Sequence, residues 1–381
     1  MFKTREAMDR RIAFWQRQMR DRILVSFGVR NPRPTPSRWQ KHVEEKGLKV
    51  TCCYDRPPLF ECLEDLLRQY EMQIGARFGP DAERELDSDA VGIPMFCPTV
   101  HFGEGIVGAF FGGELIFSST DTKTNSVCKP VVTDWAQLDS LRFEESSPWV
   151  QRALDCLRFF VARGDKRFAL QPYCTIDALN FAVVMRGDTQ AFLDVKTSPR
   201  ELRRLMEAGL DQAVRFWKLQ REIIEENNKR VIQHDAYAAL CPGHAGAGLS
   251  ADAYSLCHPS VYEEMGFEYT QRLIHALGGG FLHTHSIGAH LVPLVAKLDG
   301  LTELSLADDP HCERYFPKLR FLRERTGDVP LTVICTLAEF TTGLRDGTLP
   351  GGVSYGVQGA VDTMDDAKRL MEKVRAYRAT V

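Results

Sequence analysis

Two histidines, His283 and His285, stand two residues apart at the end of a short apolar run. Because successive side chains of a strand point to opposite faces, the two imidazoles point the same way if this run is a strand. Two imidazoles on one face can share a metal ion or hold an anionic substrate. The spacing therefore predicts a functional site where this strand ends and a helix begins.

Other residues that can do chemistry lie at or near the ends of other predicted strands. His234 follows Val231-Ile232, Cys335 ends the run that begins at Leu331, and Tyr355 lies in the last run. In an α/β barrel the active site lies at the carboxyl ends of the strands. We therefore predict that these side chains join the two histidines at one end of one parallel sheet.

The second half of the chain alternates predicted helices with predicted strands. Ser198-Pro199-Arg200-Glu201 is a capping box with proline at the first helical position, which predicts the start of a long amphipathic helix. A second helix is predicted from Pro259 to the glycines at 278–280. Strands are predicted at 231–233, 301–306, 331–334 and 352–357, and further helices at 289–298, at 310–325 and from 362 onward.

Strands that alternate with helices predict crossover connections and a parallel sheet. The chain has no GxGxxG and no GxxxxGK[ST] loop, which argues against a nucleotide-binding, doubly wound sheet. We expect an α/β fold, a (β/α)8 TIM barrel with an N-terminal helical extension. No linker divides the chain, so residues 1–381 are predicted to form a single domain, with 1–80 as mainly the helical extension and the first barrel elements.

Composition excludes several classes of partner. The chain of 381 residues is 44% hydrophobic and carries a net charge of −3 with both signs interspersed, so nucleic acid is not expected as a partner. No apolar stretch predicts a membrane span. Eleven cysteines occur without a CxxC pair or a secretion signal, which favours reduced thiols and a cytoplasmic protein.

Four segments, taken in order, carry a resemblance to a known family. They are Asp87-Ser88-Asp89-Ala90, Arg186-Gly187-Asp188 with the following Phe192-Leu193-Asp194 and Ser198-Pro199, the stretch 252–262, and His285-Ser286-Ile287-Gly288. Over nearly its whole length the chain resembles the uroporphyrinogen decarboxylase superfamily, which includes zinc-dependent methyltransferases that exchange methyl groups with corrinoid proteins. The resemblance implies that Asp89 and Asp252 surround the cavity and that His285 occupies a ligand position.

The chain departs from the decarboxylases themselves. Their arginine-rich N-terminal substrate loop and their late histidine are not visible in this sequence. Several carboxylates in one cavity need matching cations or strong donors. We therefore expect no efficient turnover of uroporphyrinogen.

The methyltransferases of this superfamily hold zinc through His-x-Cys and one further cysteine. This chain keeps His285 but has Ile287 at the first cysteine position and the Tyr355 region at the second. The resemblance therefore leaves a rearranged metal site as the hypothesis, with His285, His283 and Cys335 as ligands and zinc as the metal. His234, Asp252, Cys257 and His258 are further candidate ligands. His234, Asp89, Asp252 and Tyr355 are the candidate catalytic residues.

Three functions follow as alternatives. The first is a methyltransferase that acts with a corrinoid or thiol methyl acceptor and so has a corrinoid protein as partner. The second is a metal-free decarboxylase (lyase) of a tetrapyrrole or smaller carboxylic acid, with His285 or His234 as proton donor and Asp89 or Asp252 positioning a small-molecule substrate. The third is a non-catalytic ligand-binding barrel. The sequence leaves the oligomeric state open, a homodimer included.

Each candidate also has a structural alternative. A buried cysteine such as Cys335 is commonly apolar filler. Asp252 can cap a turn or a helix, and His283 can bond a backbone carbonyl. The Arg186-Gly187-Asp188 motif is expected to be structural, tying a helix to its loop.

Overall fold

The computed structural model describes residues 4–30, 102–117, 126–164, 170, 172–173, 175–232 and 247–379. Two of the candidate catalytic residues, Asp89 and His234, lie outside these ranges. The described strands are β1 Ile23–Val29, β2 Leu115–Phe117, β3 Ser126–Cys128, β4 Thr175–Ile176, β5 Ala247–Ser250, β6 Gly280–His285, β7 Leu301–Ala307, β8 Leu331–Thr336 and β9 Val353–Val361.

Seven strands form one parallel sheet in the order β1-β9-β8-β7-β6-β5-β4. β2 and β3 form a separate antiparallel pair. The first strand of the sheet lies beside the last, and the rest follow in sequence order, as they do around a (β/α)8 barrel. The parallel α/β fold is confirmed, but the described strands do not close the sheet into a barrel.

Helices connect most of these strands. The described α-helices are α1 Thr4–Trp15, α2 Ile106–Ala109, α3 Pro148–Gly164, α4 Ala178–Arg186, α5 Asp188–Thr197, α6 Pro199–Ile232, α7 Pro259–Val261, α8 Phe267–Leu277, α9 Val292–Val295, α10 Leu319–Thr326, α11 Leu337–Asp346 and α12 Met364–Ala376. Short 3-10 helices occupy Trp135–Ser140, Asp252–Leu256, Ser286–Leu291 and Phe316–Lys318, and a π-helical turn occupies Tyr262–Gly266. Among all these helices none combines the length and the apolar character that a membrane span needs.

The sheet has one polar and one apolar face near its centre. Residues paired in register across parallel strands point to the same face. His283 pairs with Ser250 of β5 on one side and with Ser305 of β7 on the other. Ser305 in turn pairs with Thr332 of β8, and Thr332 pairs with Ser354 of β9. The corresponding row of paired residues through Leu282 is apolar and buried, and consists of Leu249, Leu304, Leu331 and Val353. The two histidines of β6 therefore share the polar face.

The N-terminal helix α1 reaches this polar face. Trp15 Nε1 donates a hydrogen bond of 2.7 Å to Glu303 of β7, and Arg11 donates one of 3.1 Å to Ser354. Glu303 pairs with Phe281, two residues before His283, and so belongs to the same face. The helix precedes β1 in the chain.

Several predicted elements are confirmed, and one is wrong in a way that matters for the site. The long helix begins at Pro199 as predicted, and the helix before the glycines ends at Leu277, followed by Gly278 in the left-handed conformation. The predicted strand at 231–233 is wrong, because Val231 and Ile232 are the last two residues of α6. The strand of this region is β5, whose residues Ala-Gly-Leu-Ser have low strand propensity apart from leucine.

Two predicted helices are shorter than expected. In place of the helix predicted over 310–325, helical structure begins only with the 3-10 turn at Phe316, which leads into α10. The reason is that His311 has a positive φ of 65° and the Asp308 carboxylate accepts the backbone N–H of Tyr315. In place of a helix over 289–298 there is a 3-10 turn followed by the short α9.

The Arg186 motif is structural, as predicted. Arg186 ends α4, and its guanidinium forms a buried ion pair of 2.9 Å with Asp194 of α5. It also donates a hydrogen bond of 2.8 Å to the Val132 carbonyl and stacks over the Trp135 ring, 4.1 Å from the centroid. This cation therefore joins two helices to the segment that precedes α3.

Candidate functional site

Asp252, His283 and His285 bring three possible metal-ligating atoms together at the carboxyl ends of β5 and β6. These atoms lie within 4.8 Å of one another. The Nε2 atoms of His283 and His285 are each 3.6 Å from Oδ1 of Asp252. Ligands of a tetrahedral zinc ion at about 2.0–2.1 Å stand roughly 3.4 Å apart, so the spacing is close to that of a metal site.

The Asp252 carboxylate has one satisfied and one unsatisfied oxygen. Ser250, the last residue of β5, donates a 2.6 Å hydrogen bond to Oδ2. Oδ1 is inaccessible to solvent and accepts no hydrogen bond within the described part of the chain. Burial raises the pKa of this carboxyl, but the two histidines and the Ser250 hydroxyl outweigh it and hold the pKa below its ordinary value. A buried anionic oxygen without a donor is costly, and a cation beside the two imidazoles would compensate it.

His285 is held in one orientation by Asp309, which follows β7. Its Nδ1 lies 2.6 Å from Asp309 Oδ1, so an Nδ1–H donated to this carboxylate leaves the lone pair of Nε2 directed at Asp252. The second oxygen of Asp309 accepts the backbone N–H of Ile287 at 3.1 Å. A carboxylate behind a histidine in this way is the usual support of a metal-binding imidazole.

The backbone that carries these side chains is fixed by two close contacts. The buried Tyr315 hydroxyl donates a 2.7 Å hydrogen bond to the His285 carbonyl. Gly288 packs directly against Ser255, where any added Cβ would collide with the serine side chain. The turn after β6 is thereby locked to the turn that carries Asp252.

Two further carboxyl groups interact with Asp252. Glu104 is accessible to solvent, yet surrounding protein raises its pKa, and Asp252 raises it further. Asp177 caps α4 through hydrogen bonds from the backbone N–H groups of Leu179 and Asn180, and burial raises its pKa to about 8, with smaller contributions from Asp252 and Glu104. This concentration of carboxyl groups favours the binding of a cation over an anion.

Replacing Asp177 by asparagine should remove a pH dependence of stability. Because the pKa of Asp177 is raised by folding from 3.8 to about 8, the folded protein holds this proton while the unfolded chain has lost it. Stability from this group is therefore present below about pH 4 and is lost as the pH rises toward 8. The amide oxygen of an asparagine can still accept the N–H groups that Asp177 accepts, so Asp177→Asn should gain at least about 1 kcal/mol relative to wild type between pH 5 and pH 8.

Urea unfolding at pH 5 and pH 8 in the presence of a chelator checks this result. The same loss of stability with pH in both proteins would show that Asp177 is not the group responsible.

Cys335 and Tyr355 do not join this site, which corrects both predictions. Cys335 pairs with Val357 and Tyr355 with Val333, so both lie on the apolar face of the sheet, opposite to the histidines. The Cys335 thiol is fully buried, and burial raises its pKa to about 12, so it stays protonated. The Tyr355 ring packs against Phe340 of α11, and its hydroxyl bonds the Pro350 carbonyl before the strand.

Sequence reasoning found Asp252, His283 and His285, but it took Cys335 as the third metal ligand and treated Asp252 chiefly as a catalytic residue. It gave Asp309 no role, although the aspartates at 308–309 directly follow the strand beside β6, a position from which a carboxylate can reach a histidine. Ile287, at the position of the family cysteine, contributes its backbone N–H to Asp309 and exposes its side chain.

Comparisons with known proteins give a likeness in fold. No protein-family profile matches the chain, and no curated protein sequence matches it. Among solved structures, a methyltransferase from Methanosarcina mazei is similar with a TM-score of 0.57 and 9% sequence identity, over 99% of this chain and 99% of that one. At this identity the likeness shows a shared fold, and it leaves the chemistry to the residues of the site.

Proposed function

We propose that the protein is a metal-dependent methyltransferase whose metal is held by Asp252, His283 and His285. The observation that carries the proposal is the buried Oδ1 of Asp252, which has no hydrogen-bond partner among the described residues and faces the Nε2 atoms of both histidines. The fold shared with a methyltransferase and the sequence resemblance to the uroporphyrinogen decarboxylase superfamily support the reaction class. A strand between β1 and β4 would complete the closed (β/α)8 barrel that this proposal includes.

Zinc is the metal that we propose. Two imidazoles and one carboxylate form a ligand set of catalytic zinc sites, in which a fourth position stays open for a substrate. The same set also binds ferrous iron, so metal analysis decides between the two. When bound, the metal would supply Lewis acidity that lowers the pKa of a substrate thiol.

The protein residues then have distinct tasks. Asp309 keeps the Nδ1 proton of His285 and so preserves the free Nε2 lone pair, while the Ser250 hydroxyl fixes Asp252. In the reaction the thiol loses its proton, its sulfur forms a bond to the methyl carbon, and the bond between that carbon and its donor breaks with both electrons going to the donor. As the acceptor of the thiol proton we propose Glu104, which interacts electrostatically with all three proposed ligands.

The assay for this function is methyl transfer from methylcobalamin to a small thiol such as 2-mercaptoethanol. Protein loaded with zinc should form the S-methyl product, and chelated protein should lose at least about 99% of this activity, a change on the order of 3 kcal/mol in barrier. The variant His275→Ala, which removes an exposed histidine of α8 outside the ligand group, serves as the matched control and should behave as wild type. Full activity after chelation would reject the proposal, and carbon dioxide release from small acids by chelated protein would favour a decarboxylase instead.

Replacing Asp309 by alanine should weaken zinc binding by about 10- to 100-fold, the usual effect of removing the support of a metal-binding histidine. The reason is that His285 loses the acceptor that fixes its tautomer and its ring orientation. A competition titration with a chromophoric chelator measures the affinity.

The neighbouring Asp308 provides a matched control, since its carboxylate contacts Arg314 and the Tyr315 N–H but not His285. Asp308→Ala should keep the zinc affinity within about threefold of wild type, whatever it costs in stability. Equal losses of affinity in the two variants would contradict the supporting role of Asp309.

A further inference from the structure

A cavity of about 750 Å³ lies at the opposite end of the sheet from the histidines. It is lined by residues that precede three neighbouring strands, among them Met19 before β1, Pro330 before β8 and Gly352 before β9. Asp252 and Asp309, in contrast, follow strands of the same parallel sheet. A strand of six residues such as β6 spans about 20 Å, so the cavity is separate from the candidate metal site.

The cavity wall carries more positive than negative charge. Four arginines line it, Arg17, Arg20, Arg320 and Arg323, against the two carboxylates of Glu324 and Asp328. Asp328 accepts hydrogen bonds from Arg17 at 2.8 Å and from Arg20 at 2.7 Å, so one carboxylate is shared by two guanidinium groups. The remaining two arginines have no carboxylate within ion-pair distance in the described part of the chain.

Arg323 has no carboxylate within ion-pair distance among the described residues, and the nearby Asp328 offsets its charge only in part. Its guanidinium donates hydrogen bonds to three backbone carbonyls, those of Gly327, Val329 and Gly352. Burial lowers its pKa to about 10, so the group remains charged at neutral pH. The carbonyls fix the orientation of the guanidinium but do not cancel its charge. A cation in a concave wall of low dielectric focuses a positive potential into the cavity.

Arg320 and the apolar wall complete the recognition surface. Arg320 is exposed and, among the described residues, has no hydrogen-bond or ion-pair partner, so its guanidinium can turn to a ligand without breaking an existing contact. Met19, Leu349 and the partly exposed Pro350 line the same cavity and contribute apolar surface to it. A volume within the range of about 300–1,000 Å³ found for small-molecule sites admits a ligand with an organic body.

We propose that this cavity binds a small organic anion whose phosphate or carboxylate group contacts Arg320 and Arg323 and whose apolar part packs against the wall at Met19, Leu349 and Pro350. Arginine guanidinium groups recognise both kinds of oxyanion through paired N–H donors. The ligand does not take part in chemistry at the histidines, because the sheet separates the two sites. The inference stands independently of the methyltransferase proposal.

Calorimetric titration with phenyl phosphate and with benzoate tests this site and distinguishes the two head groups. At least one of the two should bind saturably in the micromolar to low millimolar range, and the neutral analogue benzyl alcohol should bind at least about tenfold more weakly. Arg320→Gln should weaken binding of the anion at least about tenfold, since a charge-assisted contact is lost. Inorganic phosphate should also bind at least about tenfold more weakly than phenyl phosphate, because it cannot use the apolar wall.

The matched control is Arg345→Gln, which removes an exposed arginine of α11 that pairs with Asp346 and does not line the cavity. This variant, and the Asp252→Ala variant at the other end of the sheet, should bind the anion as wild type does. The absence of saturable binding by both anions would overturn the inference. Equal affinity in wild type and Arg320→Gln would overturn it too, as would equal affinity for phenyl phosphate and benzyl alcohol.

Discussion

Zinc affinity should fall by at least about a hundredfold when His285 or Asp252 is replaced by alanine. Removing only the support of a metal ligand typically costs about 10- to 100-fold, and removing the ligand itself should cost at least the upper part of that range. For Asp252→Ala the loss has a second cause, because the anionic Oδ1 that faces both imidazoles disappears with it. Competition titration against a chromophoric chelator gives the affinities of wild type and both variants.

His275→Ala is the control for a general effect of losing a histidine. His275 is exposed on α8, where it bonds Gln271 and Asp299, and it is not part of the ligand group. Its replacement should leave zinc affinity unchanged. The proposed ligand set would be wrong if His285→Ala and His275→Ala bound zinc equally well.

Replacing Asp194 by alanine should destabilise the fold by about 3–5 kcal/mol without affecting zinc affinity. Asp194 is 1% exposed, and its variant leaves Arg186, itself 6% exposed, as a buried cation without its carboxylate. The Val132 carbonyl and the Trp135 ring remain, but neither carries a compensating charge. Urea unfolding monitored by circular dichroism measures the change in the free energy of unfolding.

An exposed ion pair on α3 provides the comparison. Arg158 and Asp155 are 2.7 Å apart and about half exposed, at 49% and 50%. Asp155→Ala should therefore change the free energy of unfolding by less than about 1 kcal/mol. A loss below about 1 kcal/mol in Asp194→Ala would mean that Arg186 finds water or another partner, and that the motif does not hold α4 to α5.

Local sequence pattern was sufficient for the elements around the histidines. The spacing of His283 and His285 placed both on one face of a strand, and the structure puts both beside Asp252. The capping box at 198–201 gave the start of α6, because helix capping depends on residues three positions apart. These signals are short-range, which is why one sequence is enough to read them.

The remaining parts of the site depend on long-range register. Alternation within β8 or β9 shows which residues share a face of that strand, but not which face joins the histidines of β6. That relation is set by pairing across the sheet, and it places Cys335 and Tyr355 on the apolar side. The same limit applies to the partnership of His285 with Asp309, which joins residues 24 positions apart.

β5 was missed for a different reason. Its four residues are mostly small, whereas the run at 231–232 is β-branched and reads as strand although it ends a long helix. Tertiary pairing with β6 makes Ala247–Ser250 a strand, and only then does Asp252 follow a strand end. The carboxylate was therefore recognised through the family resemblance and not through the fold.

Anomalous diffraction can locate a metal ion held by Asp252, His283 and His285. Crystals grown with zinc and measured on both sides of the zinc absorption edge should show one strong anomalous peak about 2.0–2.2 Å from Asp252 Oδ1 and from the Nε2 atoms of both histidines. A zinc-soaked crystal of folded protein with no anomalous peak between these three atoms would contradict the account.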